Sequence, residues 1–266
     1  MQYLLVMCLT LITSLTLSCM TAGSDLCITE IMYDPASSER RGESEWVELA
    51  NLGSSTIDLQ GWRLDDEDAS DWGTLSGMLK PGQVAVIING DATSAQEFRT
   101  AWTDDPGVEP AFLILPVRWG SLANKPTADN EILQLLDPDD TVVCTVNYQR
   151  GGNWPDPKRR GESIHLLKLD DPISFEGANW GLTQIDQPGA RTAKVTPTFT
   201  KPDVGSPGVL PGKPAARPSR TPPAPPQPEI KPTSPTPAPA PSVPPKTPKS
   251  PPAPPPPPAE DDDVPY

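Results

Sequence analysis

The chain has 266 residues, with 35 acidic and 21 basic side chains, a net charge of −14, one histidine and 38 prolines. A surface this acidic repels phosphate backbones, and Lys158-Arg159-Arg160 is too short a basic run to reverse that, so direct nucleic-acid binding is not expected. One histidine and four separated cysteines offer no zinc-ligand spacing and little material for a nucleophilic triad.

Residues 1–23 read as an export signal: residues 4–17 form an apolar run short for a bilayer span, and Thr21, Ala22 and Gly23 follow it. No Lys or Arg precedes the run, so its positive charge rests on the free amino terminus. Cleavage is the favoured outcome. A membrane enters only if the segment is retained as an anchor or Cys19 is lipidated, and Thr16 stands where a lipoprotein signal usually has Leu.

Residues 24–196 hold all seven tryptophans and 29 acidic against 14 basic side chains, a net of −15, and are long enough for one domain with a substantial core. Apolar residues at period two, or in short β-branched runs, predict strands over 28–32, 46–50, 57–64, 83–88, 131–136, 141–148 and 163–169. Asn51-Leu52-Gly53-Ser54, Lys80-Pro81-Gly82 and Asp137-Pro138-Asp139-Asp140 supply turns between them, the last as a tight hairpin loop. So many short strands with almost no helical periodicity indicate an all-β sandwich.

The exception is 93–102, where Ser94 can cap a short helix carrying Ala95, Phe98, Arg99 and Trp102 on one face. An irregular stretch from 103 to 130 follows, and a loop of that length needs packing, so Phe112, Leu113, Leu115, Val117 and Trp119 are expected to fold back on the sandwich. From Pro197 onward lie 27 of the 38 prolines, with a single Phe and no Trp or Cys. Such a composition cannot bury a core, and residues 209–266 are expected to form a disordered, proline-rich spacer with polyproline II character. Largely extended, it would reach on the order of 100–200 Å. Pro-x-x-Pro patterns such as Pro222 to Pro225 suit aromatic docking grooves but arise by chance in so proline-rich a segment.

The ordered motifs resemble those of the lamin tail domain family. They begin with Ile28-Thr29-Glu30-Ile31-Met32-Tyr33-Asp34-Pro35 and Glu45-Trp46-Val47-Glu48-Leu49 before Asn51, then Asp58-Leu59 and Gly61-Trp62-Arg63-Leu64. Leu79-Lys80-Pro81-Gly82, Ser121-Leu122, the run from Glu131 to Asp137, Val146-Asn147-Tyr148 and Trp154-Pro155 follow. Gly161-Glu162-Ser163-Ile164, Trp180 and Gly205-Ser206-Pro207-Gly208 close the set, so the likeness spans roughly 26–208. The resemblance implies an immunoglobulin-like β-sandwich over 24–208, used in exported bacterial proteins for binding or spacing and lacking a shared catalytic site. The expected partner is a protein or a surface polymer. Cys144, where an acidic residue is more usual, and the enlarged 91–126 segment depart from the family.

Alternation in the Glu45 to Leu49 run places Trp46 and Glu48 on one face and Glu45, Val47 and Leu49 on the other, so one glutamate lies near the interior and needs a donor. Gly61 lets a strand bend while Trp62 seals the sandwich. His165 alternates with Ser163 and is expected to be a hydrogen-bonded strand residue with no catalytic part. Asp65, Asp66, Asp68 and Asp71 are the one candidate calcium cluster, weighed against a solvated acidic turn because no EF-hand frame is present; no other cofactor is expected. Cys27 and Cys144 either pair as a disulfide or sit as two buried thiols. The rival function is a small extracellular hydrolase or nuclease with its site in 91–126, built from Asp91, Glu97, Arg99, Asp104, Asp105, Glu109, Arg118 and Lys125.

Overall fold

The computed structural model describes residues 25–38, 40–66, 73–125, 131–157, 159–169 and 174–210. All of these residues fall in one compact unit, within Met1–Arg220. The expected export signal and the proline-rich tail beyond Leu210 lie outside them.

In chain order the elements are β1 (Leu26–Met32), β2 (Trp46–Asn51), β3 (Ile57–Asp58), β4 (Arg63–Asp65), β5 (Met78–Leu79), β6 (Val84–Asn89) and α1 (Ala95–Trp102). There follow β7 (Leu113–Val117), β8 (Glu131–Leu136), β9 (Val142–Tyr148), β10 (Ile164–Leu166), β11 (Trp180–Leu182), β12 (Arg191–Thr192) and β13 (Val204–Gly205). A six-stranded sheet runs β11-β10-β1-β2-β6-β7, and a three-stranded sheet runs β4-β8-β9, with β3-β5 and β12-β13 as small pairs. This is the all-β, immunoglobulin-like sandwich expected, with one short helix.

The core sits between the two larger sheets. Ile28, Ile31, Val47, Leu49, Ala85 and Ile87 meet Leu64, Leu133, Leu135, Val146 and Tyr148 there. A second apolar layer lies on the other face of the six-stranded sheet, where Trp46, Val84, Val86 and Ile88 pack against Phe98, Ala101 and Trp102 of α1 and against Phe199 and Leu210. β1, β2 and β6 are thus buried on both faces along their whole length. That explains why Val84-Ala85-Val86-Ile87-Ile88 reads as an unbroken apolar run with no alternation. In β1 the register shifts between Ile28 and Glu30. Residues three apart would otherwise face opposite ways; the bulge lets Ile28 and Ile31 both enter the core while Glu30 turns to the far face.

The helix forms where its cap predicts: Ser94 accepts the Glu97 amide, and Phe98, Ala101 and Trp102 supply the buried face. The 103–130 stretch differs from expectation. Phe112 and Trp119 do fold back into the two apolar clusters, but residues 113–117 form β7, which pairs in parallel with β6 at the sheet edge. The helix supplies the crossover that a parallel pair requires. Pro116 in this run lowers its strand propensity, and an edge position is where a missing amide is tolerated. The expected single strand over 57–64 is two strands broken at Gly61, whose φ is 85°. Trp62 packs, half-buried, against the core beyond the break.

Candidate functional site

Three glutamates of the opening motifs are buried: Glu30, Glu45 and Glu48 are 1%, 2% and 0% exposed. The Glu45 carboxylate accepts the Leu122 amide at 2.6 Å. Strand register sets Glu48 opposite Glu30, and Glu30 opposite His165. Three titratable side chains therefore stand in one row across β2, β1 and β10. Glu30 Oε1 accepts the Ser206 amide at 2.7 Å, the Thr183 hydroxyl at 3.2 Å and the Ser163 hydroxyl, while Oε2 accepts the Ser206 hydroxyl at 2.7 Å. Glu48 Oε1 accepts the Thr29 hydroxyl and Oε2 the Gly208 amide, both at 2.7 Å. His165 Nδ1 lies 2.9 Å from Thr183 Oγ1.

Burial pushes the Glu30 carboxyl above its ordinary range, opposed by the Ser163, Ser206 and Thr183 donors. Glu48 is driven well above that range, by burial first and the neighbouring Glu30 charge second. Burial lowers His165, so its ring is neutral near pH 7. A hydroxyl, an imidazole and a carboxylate are close together here, yet Ser163 and Thr183 are 0% and 1% exposed and both reach Glu30, so neither hydroxyl can meet a substrate. What the row does is structural, since Glu30 and Glu48 bind the Gly205-Ser206-Pro207-Gly208 segment to β1 and β2. At Gly208 φ is +83°, and a side chain there would run into the Phe112 ring.

A second cluster ties down the Asp34-Pro35 motif. Asp34, 3% exposed, pairs with Arg150 and, at 2.8 Å, with Arg160, which also donates to the Pro35 carbonyl at 2.7 Å. The Arg150 guanidinium stands 6.0 Å from the centroid of the Tyr33 ring. Of the calcium candidates, Asp68 and Asp71 lie outside the described residues. Asp65 ends β4 with its carboxylate 3.5 Å from Arg63 Nε, and Asp66 follows it, 9% exposed. Among the described residues no group of three or more His, Cys, Asp or Glu side chains is placed to hold a metal ion.

The rival residues of 91–126 are spread over several contacts. Arg99 pairs with Glu109 at 2.8 Å, Arg118 stands 3.9 Å from Asp91, and Glu97 accepts the Thr198 amide at 2.9 Å. Lys125 is exposed beyond Trp119, and Asp104 and Asp105 lie in the turn after α1. Arg99 and Glu97 thereby tie α1 to Glu109 and to the Thr198 backbone.

Residues 20–150 match the model of the Lamin Tail Domain family. The chain carries a lamin tail domain. Such domains are β-sandwich modules of the interaction type. No curated protein matches the sequence. Among solved structures, a DUF4876 family protein from Bacteroides thetaiotaomicron is similar at 12% identity, covering 74% of this chain and 75% of that one, with a TM-score of 0.36.

The matched span ends before β10, while β10 and β11 complete the same six-stranded sheet and Ser163, Thr183 and Ser206 supply the donors to Glu30. The lamin tail domain of this chain thus depends on residues well past 150. The alternation of the Glu45 to Leu49 run predicts one interior glutamate, whereas both Glu45 and Glu48 are buried because β2 is covered on both faces, and it gives no sign of Glu30. The available signal was a lone carboxylate within Leu26-Cys27-Ile28-Thr29-Glu30-Ile31-Met32, where burial forces an acid to find donors.

The outer strand β11 borders one surface depression, and the turn after it borders a second. One, of about 450 Å³, is walled by Trp154, Trp180, Asn153, Gln184 and Gln187. The two indoles are tilted at 31° with centroids 5.9 Å apart. The other, of about 540 Å³, includes Arg160, Gln184, Ile185 and Asp186, and Ile185 is 59% exposed. An outer strand also presents backbone groups that no neighbouring strand uses, so this edge is the candidate contact surface.

Proposed function

We propose that the chain is an exported interaction or spacer module, working at the cell surface or in the extracellular space, with no catalysis of its own. The carrying observation is the lamin tail domain itself, whose perturbed acids and single histidine spend their hydrogen bonds on closing the fold. The apolar run at 4–17 and the proline-rich composition after Pro197 support export and a spacer role. The β11 edge, with the half-buried Trp154 and the exposed Ile185 beside it, is the surface offered to a protein or surface polymer.

The test is crosslinking on intact cells producing the tagged full chain, with fractionation of cytosol, envelope and medium. Recovery outside the cytosol, joined to a surface component, is expected, and loss of the crosslink in an Ile185→Asp variant assigns the edge. Recovery only from the cytosol would remove the exported role. A hydrolase and nuclease screen of the purified chain, with and without divalent metal, addresses catalysis; turnover lost on changing one of Asp91, Glu97, Asp104 or Asp105 would overturn the non-catalytic reading.

A further inference from the structure

Cys27 on β1 and Cys144 on β9 belong to different sheets, and their strands face each other across the core. The two sulfurs stand 3.8 Å apart, both buried. Cys144 Sγ also receives the Ile28 amide at 3.5 Å and lies 3.5 Å from the Ser174 hydroxyl. A disulfide needs sulfurs about 2 Å apart, so closure asks only a small rotation of two side chains already aimed at each other. We infer that Cys27 and Cys144 form a covalent cross-linking site that joins the two sheets when a disulfide-class oxidant is present as the chain folds.

In the fold the contact with Cys27, and then the Ile28 amide, lower Cys144 to about 7 while Cys27 is pushed up, which favours Cys144 as the thiolate. Both sulfurs are buried once the sheets close, so the oxidant reaches them while the chain is still folding. The Cys144 thiolate attacks one sulfur of the oxidant's disulfide, that bond breaks, and the departing sulfur leaves as a thiol with the proton Cys144 has lost. Cys27 then loses its proton and attacks the Cys144 sulfur of the mixed disulfide. The Cys27–Cys144 bond forms and the second oxidant sulfur leaves as a thiol. The protein dithiol is oxidised by two electrons, and one oxidant disulfide becomes two thiols. The bond would close a loop between residues 117 positions apart, and cross-links of such long loops constrain the unfolded chain most. Export would supply an oxidant, but the chemistry is independent of the proposed location.

The test unfolds the purified full chain, refolds it in a mixture of reduced and oxidised glutathione, quenches it with an alkylating reagent and digests it without reductant for mass spectrometry. A Cys27 peptide joined to a Cys144 peptide is expected, with a urea midpoint that falls on adding reductant. A Cys144→Ser variant should show no such fall. If both cysteines are alkylated, carry glutathione, or pair with Cys8 or Cys19 instead, the inference fails. It fails equally if the joined peptides appear but reductant leaves the urea midpoint unchanged.

Discussion

The buried Glu30–Glu48 pair makes an unusual demand on the pH dependence of stability, and Glu48→Gln exposes it. A carboxyl whose folded pKa lies above its unfolded value, near 4.5 for Glu48, contributes stability that is complete below 4.5 and lost as pH rises through the folded value. While Glu48 holds its proton in the fold and sheds it on unfolding, each pH unit removes about 1.4 kcal/mol. Glutamine cannot titrate. Its oxygen can keep the Gly208 amide while its NH₂ group donates to the Thr29 hydroxyl oxygen, as a protonated carboxyl would, so the exchange costs about 1 kcal/mol for the altered geometry. Near pH 5 the variant should be the less stable protein by that amount. With rising pH the gap should close by up to about 1.4 kcal/mol per unit and reverse within roughly two units. His165 titrates in both proteins and cancels in the difference. Urea unfolding followed by tryptophan fluorescence between about pH 5 and pH 8 measures both curves. A gap that stays constant or widens with pH would refute the buried, proton-holding pair.

Trp102, 1% exposed, packs against Trp46 at 5.6 Å and against Phe98 and Phe199 at 6.1 Å, so Trp102→Ala should cost about 3–5 kcal/mol by equilibrium unfolding; a loss below about 1 kcal/mol would mean that α1 contributes little to the second layer. His165 gives the only imidazole signal in a proton NMR titration, and burial should place its midpoint below 6.5. Because its folded pKa is lowered, its stabilising contribution is complete above 6.5 and lost as pH falls; a midpoint at or above 6.5 would contradict the buried Thr183 contact. With Asp65 held beside Arg63 at 3.5 Å, calorimetric titration of the full chain with Ca²⁺ should show at most weak binding. Submicromolar affinity would reinstate the acidic cluster as a site.

Much of the fold was legible because the signals are local. Alternation and turn chemistry placed β2, β6, β8 and β9 within a residue or so, and the Ser94 cap placed α1. β7 was not legible: Leu113-Ile114-Leu115-Pro116-Val117 carries a proline, and its parallel pairing with β6 is visible only once α1 has carried the chain across. The β1 bulge was equally hidden, since nothing in Ile28-Thr29-Glu30-Ile31 announces that the period of two is broken. The candidate chemistry was legible as residue types and not as partners. Glu48 carries its own hint in the Glu45 to Leu49 alternation, whereas its bond to Gly208 joins residues 160 positions apart.

That long-range bond shows what the family motifs do together. The opening Glu30 and Glu48 and the closing Gly205-Ser206-Pro207-Gly208 lie at opposite ends of the domain sequence, and hydrogen bonds between them make one unit of both ends. The closing segment cannot detach without removing both Ser206 donors from Glu30 and the Gly208 amide from Glu48, two acids buried in the fold. Phe199 and Leu210, packed with α1, brace the same segment on either side. Whatever follows Leu210 therefore hangs from a strap bonded to the central strands of the larger sheet. In the role proposed above, with a partner on one edge and a spacer at the end, that end has to resist fraying. The two glutamates meet this need at the cost of a fold that weakens as the medium becomes alkaline.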